Sequence, residues 1–204
     1  MGRHRAFDDA EVLDAAIDCF WRRGYEATSV RDLAATMGIG SASLYNAFSD
    51  KRSLFARALE RYLDRSMRER IARLERRLPP REAIRAFISE IIERSLGDKE
   101  RRGCLLVNSA LEIAPHDQAL GAEIAGRLAE LERFFRRSIV AAQADGSVPA
   151  DRDADGIARL LLAVTLAIRV LARTDPRRAL LEGAARPALD LLDPPARKRK
   201  GGKR

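Results

Sequence analysis

Metal-binding and nucleophilic side chains are scarce in this chain, which has only two histidines, His4 and His116, and two cysteines, Cys19 and Cys104. Residues so few and so dispersed make no metal-ligand spacing, no histidine-based triad and no disulfide framework. No phosphate-cradling glycine loop, HExxH pair or Gly-x-Ser-x-Gly elbow occurs. An enzyme is therefore not expected, a carboxylate such as Glu112 being the only foothold for one, and no metal or cofactor is expected. Long apolar runs are missing too. The longest, 160–168, lies between Arg159 and Arg169 and is too short to cross a bilayer. The first nine residues carry basic side chains with no apolar run behind them, so no export signal and a cytoplasmic location are expected. No stretch alternates apolar and polar residues long enough to argue a sheet, and glycine and proline fall mainly at boundaries. The chain reads as all-α.

What is present is positive charge, unevenly placed. The net charge is +8, with 38 basic against 30 acidic residues in 204. Residues 1–78 hold 15 Lys/Arg against 12 Asp/Glu, residues 79–196 hold 17 against 18, and 197–204 hold six basic residues and no acid. A mildly basic start, a near-neutral body and a basic tail suit a nucleic-acid partner. Arg3, His4 and Arg5 form either a frayed terminus or an arm able to reach DNA, and the tail from 194 is expected to be disordered.

The most informative stretch is 28–54. Thr28 or Ser29 can cap a helix whose apolar positions Val30, Leu33, Ala34 and Met37 recur at helical spacing. Gly38 stops it, and Gly40-Ser41 opens a second helix to about Phe48, with Leu44, Ala47 and Phe48 able to share an inner face. Ser49-Asp50 caps a third helix from Lys51. Periodicity alone leaves any helix pair possible; the layout is also that of a helix-turn-helix. The run Thr28-Ser29-Val30, Leu33-Ala34, Gly38-Ile39-Gly40, Leu44-Tyr45, Phe48, Lys51 and Leu54, preceded by Ala16, Phe20, Gly24 and Tyr25, resembles the amino-terminal domain of TetR-family transcriptional regulators over about fifty residues. Gly40, Ala42 and Asn46-Ala47 depart from the commonest pattern, which affects the operator sequence and not the fold. The resemblance implies that Thr28, Ser29, Tyr45 and Lys51 touch phosphates, and that Arg31, Ser41, Ala42, Ser43 and Asn46 approach base edges or adjacent backbone.

This divides the chain into a helix-turn-helix domain at 1–50, a linking helix at 51–78, and an effector-binding and dimerisation domain at 79–193. The linking helix has an apolar stripe and an arginine-dense face expected to be solvated and ion-paired along itself. Further helices are expected at about 81–96, 102–114, 117–144, 153–174 and 177–192. Pro187 should kink the last or shift its start. The 160–171 segment is apolar nearly all round. With the last helix it is either a central core element or a dimer seam contributed by Leu160, Ala163, Leu166, Ala167, Leu181, Ala185 and Leu189. Cys104, Asn108 and Glu112 lie four apart on one helix face, as polar fittings of an effector pocket or as caps and packing residues. Phe134, Thr165 and Arg169 are the other pocket candidates, Arg169 as an anchor or as an ion-paired structural residue. A similar Gly-Cys segment occurs in TetR-family members that sense electrophiles or oxidants. Few charges lie near these apolar helices, so an uncharged or aromatic effector is expected. The expected function is a homodimeric repressor of a pseudo-palindromic double-stranded DNA operator, released by a small molecule or electrophile. An activator of the same family, or a helical interaction module without DNA, is the alternative.

Overall fold

A computed structural model describes residues 9–194, which are helical with no strand among them. The arm at Arg3, His4 and Arg5 and the basic tail beyond 194 lie outside the described residues. Helix α1 spans Asp9–Arg23, α2 Val30–Met37 and α3 Ser41–Phe48. Ser29 and Asp32 form a capping box on α2: the Ser29 hydroxyl accepts from the Asp32 N–H at 3.1 Å, and the Asp32 carboxylate accepts from the Ser29 N–H at 3.0 Å. Gly38 then takes φ +67, the left-handed angle that lets the N–H groups of Gly38 and Ile39 cap the carbonyls of Ala35 and Ala34. Val12, Leu13, Ala16, Ile17 and Phe20 of α1 close a core with Leu33, Leu44 and Phe48. Ala47, expected in that core, is exposed instead.

The linking helix is a rod in three pieces: α4 Lys51–Leu63, a π-helical turn Asp64–Arg68, and α5 Glu69–Arg77. Asp50 starts it by accepting from the Ser53 N–H at 2.6 Å. Within the turn the Glu69 N–H bonds the Asp64 carbonyl, so one extra residue is fitted in and Ser66 and Met67 are buried. The arginine face is not mainly paired along its own helix, as expected, but across to neighbours. Arg61 and Arg65 hold Asp14 of α1, and Arg68 holds Glu130 at 2.9 Å. Arg70 and Arg73 share Glu90.

Pro80, whose missing N–H costs nothing in a first turn, opens α6 (Pro80–Leu96). After it come α7 (Leu105–Glu112), α8 (Gln118–Ala144), α9 (Ala154–Thr174) and α10 (Arg178–Asp190). The α7 helix is shorter than the expected 102–114, and Pro187 sits inside α10 without ending it. Helices α6, α8, α9 and α10 pack on one another, with Phe87, Phe134 and Phe135 in mutual ring contact at 5.2–5.6 Å.

Candidate nucleic-acid interface and enclosed cavity

Helix α3 turns Leu44 and Phe48 into the core, which leaves Ser41, Ala42, Tyr45 and Asn46 exposed and Ser43 half-buried on the opposite side. Tyr45 is 49% exposed, although a tyrosine ring on a short helix would ordinarily pack. Gly40 gives α3 no side-chain cap, so its first N–H groups point outward with only water or a ligand to satisfy them. Arg31 and Ser29 are exposed on and before α2. Lys51 lies at the start of α4 with its Nζ 4.3 Å above the Tyr25 ring. Thr28 must be corrected: it is fully buried, and its hydroxyl donates to the Gly24 carbonyl at 2.5 Å, closing the α1–α2 turn. Its side chain is not available to a phosphate.

Behind this unit the π turn walls a small, partly open cavity of about 40 Å³. Tyr62, Ser66 and Arg70 of the rod face it together with Cys104, Thr165 and Arg169. Leu63, Met67, Phe87, Ile91, Leu106 and Leu131 supply most of the apolar lining. The Tyr62 hydroxyl donates to Cys104 Sγ at 3.6 Å, and its pKa is pushed up by burial and by the neighbouring thiol, so it remains a donor. Cys104 is the extended residue capping α7, not a residue within it. Arg169 is only 6% exposed, and its Nη1 donates to Ser95 Oγ at 3.2 Å. Among the described residues no carboxylate lies within ion-pair distance of Arg169, so the structural ion pair expected for it does not form.

Three of the six expected effector residues do not reach this cavity. Phe134 is wholly buried one layer behind, against Phe87. Asn108 donates to the Arg102 carbonyl at 2.9 Å and accepts from Arg173 at 3.0 Å. Glu112 faces the reader: its carboxylate accepts from the Tyr25 N–H at 3.1 Å and the Glu26 N–H at 2.9 Å. These amides are left over where α1 ends and Gly24 turns at φ +87. Two ion pairs bind the same parts together, Arg52 with Asp117 at 2.8 Å and Arg102 with Asp18 at 3.2 Å. Tyr62, Ser66 and Arg70 were legible only as members of the linking helix, since nothing in a helical period says that the face they share meets a cavity.

The expected seam residues also divide. Leu160, Ala163 and Ala167 are exposed on α9, in line with Val170. Leu181 and Ala185 are buried inside their own chain, Leu189 lies half-buried in the groove between α6 and α10, and Leu166 lines the cavity. Leu181 and Ala185 must be corrected, because the α10 face that carries them is the one packed on α6 and α9. Leu166 and Leu189 are only half-buried and keep surface for a second copy.

Comparison with known proteins agrees with this arrangement. Residues 12–58 match the pattern of bacterial regulatory proteins of the tetR family, and residues 80–187 match the tetracyclin repressor-like C-terminal domain. An uncharacterized HTH-type transcriptional regulator of Bacillus subtilis, YezE, is 34% identical over 195 residues, 95% of this chain and all of that protein. The HTH-type transcriptional repressor ComR of Escherichia coli is 30% identical over 173 residues, 84% of this chain and 82% of its own. Among solved structures, a cysteine mutant of the TetR family regulator CifR complexed with a 26-base-pair operator superposes with TM-score 0.83 at 35% identity, covering 94% of this chain and 100% of that one. This chain belongs to the TetR family of DNA-binding transcriptional regulators.

Proposed function

We propose that this regulator is a repressor: a homodimer that holds a pseudo-palindromic operator through two copies of α3 and lets it go when an effector enters the cavity at the π turn. The reader is then 9–50, the rod 51–77 its link, and 79–193 the effector-binding and dimerising part. The observation that carries the reading is the placement of the cavity. Its walls include Tyr62, Ser66 and Arg70 of the same rod whose first turn, at Lys51, follows the reader, so an occupant acts directly on the element that carries α3. ComR, a repressor, supports the direction of regulation, and the operator-bound CifR supports DNA as the partner.

Tyr45 and Lys51 supply phosphate contacts, while Ser41, Ala42, Ser43, Asn46 and Arg31 meet base edges or adjacent backbone. An effector releases DNA only to the extent that it binds the non-binding conformation better. The test is fluorescence anisotropy on DNA from upstream of its own coding region. Lys51→Ala should weaken all sequences alike and reduce the steepness of the salt dependence by about one. Asn46→Ala should instead relax sequence preference, by about 1–3 kcal/mol at the affected position. Wild-type affinity in a folded Tyr45→Ala, Lys51→Ala double mutant would remove the placement.

A further inference from the structure

Arg169 is a buried cation with an incomplete set of partners. A guanidinium offers five N–H donors, and the partner given to this one is a neutral hydroxyl, Ser95 Oγ. Ser95 already donates to the Ile91 carbonyl at 2.8 Å, so it accepts from Arg169 with a lone pair and neutralises nothing. The second cation on the cavity, Arg70, has a side chain 11% exposed and shares the single carboxylate of Glu90 with Arg73. No Asp or Glu is among the residues lining the cavity. A desolvated charge of this kind is costly unless an opposite charge faces it. Arg169 also borders a groove that holds Asp98 and Glu100, neither within ion-pair distance of it, and on the cavity side no acid faces it at all.

We propose that the cavity is an anion site and that the group it recognises is a single carboxylate, received between Arg169 and Arg70 beside the Tyr62 and Ser66 hydroxyls. The inference rests on this cavity being the effector site and reverses the expectation of an uncharged effector. Its size points the same way. About 40 Å³ is room for a carboxylate head, where a drug-sized body takes about 300–1,000 Å³. The effector class is therefore a short monocarboxylic acid, or a longer one that inserts its head here and opens the apolar wall of Leu106, Leu131 and Leu166 with its chain. The second carboxylate of a dicarboxylic acid would meet the apolar remainder of the lining unpaired, which disfavours that class.

Trp21, the only tryptophan, is a built-in reporter, since its ring lies 5.1 Å from that of Tyr62. The full chain is titrated with formate, acetate and the neutral isostere acetamide. A fixed excess of sodium chloride sets the ionic strength in every sample, and calorimetry is run in parallel. Formate and acetate should give a saturable response with a dissociation constant of order 1 mM, near the ceiling for so few heavy atoms, and acetamide should give none. Arg169→Met should lose acetate binding at least tenfold while its melting temperature stays level or rises, because an uncompensated buried charge has gone. Three results would overturn the proposal: acetamide matching acetate, Arg169→Met binding acetate like wild type, or no saturable response to either acid. Operator binding is measured on the same samples without acid. Its failure would count against the repressor reading, and failure of the acid titrations alone would leave that reading in place.

Discussion

The contact between Glu112 and the α1–α2 turn can be tested through the residue it shadows. A Cβ on Gly24 would sit 2.8 Å from Glu112 Oε1 and 3.0 Å from Oε2, and the backbone there is held at φ +87. Gly24→Ala therefore has two costs. The left-handed backbone strain is about 1–2 kcal/mol. In addition the carboxylate must swing away and give up the Tyr25 and Glu26 amides. Bonds to a charged acceptor contribute about 1.5–3 kcal/mol each, but the Glu26 amide is exposed, so the pair is assigned about 2 kcal/mol. Glu112→Ala loses only that second quantity. At about 2–4 °C per kcal/mol for a chain of this size, it should melt about 4–8 °C below wild type. Gly24→Ala should melt lower still, yet in the Glu112→Ala background the same change should cost only the backbone strain. Melting at fixed protein concentration gives the cycle, because association with a second copy would otherwise move the midpoint. Hydrogen exchange at Tyr25 and Glu26 should quicken in Glu112→Ala. Additivity of the two substitutions within about 0.5 kcal/mol, or unchanged exchange at both amides, would refute the reasoning.

Three further outcomes follow. Ala163→Glu, on the exposed α9 stripe, should stay folded and sediment as a monomer, while Leu181→Glu, fully buried in its own chain, should fail to fold; a wild type monomeric at micromolar concentration would remove the seam. Hydrogen bonds from Arg61 to Asp14, from Arg68 to Glu130 and from Arg52 to Asp117 hold these carboxyls below their ordinary values. Their contribution is complete above the unfolded range of about 4 and is lost as pH falls through the lower folded values, so the midpoint should be level from pH 7 to 5 and drop below about 4, and a midpoint level down to about pH 3 would contradict this. Under covalent release through Cys104, Cys104→Ser should bind operator normally and ignore a quinone that releases wild type, whereas under reversible occupancy of the cavity the response to ligand should survive. Unaltered release by the quinone would eliminate Cys104 as the responsive thiol, leaving Cys19 or noncovalent binding to explain it.

The reader was legible because each of its determinants is local. The Ser29–Asp32 capping box, the left-handed Gly38 and the Leu33, Leu44 and Phe48 core positions are all set within a few residues of sequence. Thr28 shows where that legibility ends. The family resemblance makes Thr28, two residues before α2, a phosphate contact, and only the path of the turn back to Gly24 reveals that its hydroxyl is buried. The π turn was hidden for a related reason. Leu63, Met67 and Ile71 keep a spacing of four, which an uninterrupted α-helix also satisfies, and the extra residue shows only in the Glu69-to-Asp64 bond.

The exposed α9 stripe and the cavity needed information that helical period does not contain. Period identifies two faces of α9 and α10 but not which of them the chain itself will cover, so Leu181 and Leu160 looked equivalent until α6 was placed against one and nothing against the other. The same ambiguity misassigned Glu112. Its spacing from Cys104 and Asn108 is real, but what it meets is 86 and 87 residues away in sequence. Once that partner is placed, α7 takes on a different part in the molecule. Cys104 at its start lines the cavity beside Tyr62 and Arg169, and Glu112 at its end grips the turn that leads into α2. A helix of eight residues is about 12 Å long and too short to bend appreciably, so a displacement at Cys104 is carried to Tyr25 and Glu26 rather than absorbed. The reader thus meets the rest of the chain through the rod at Lys51, through α7 at the α1–α2 turn, and through α1 ion pairs such as Asp18 with Arg102. An effector that moves α7 relative to the rod must change the tilt of α3 between them.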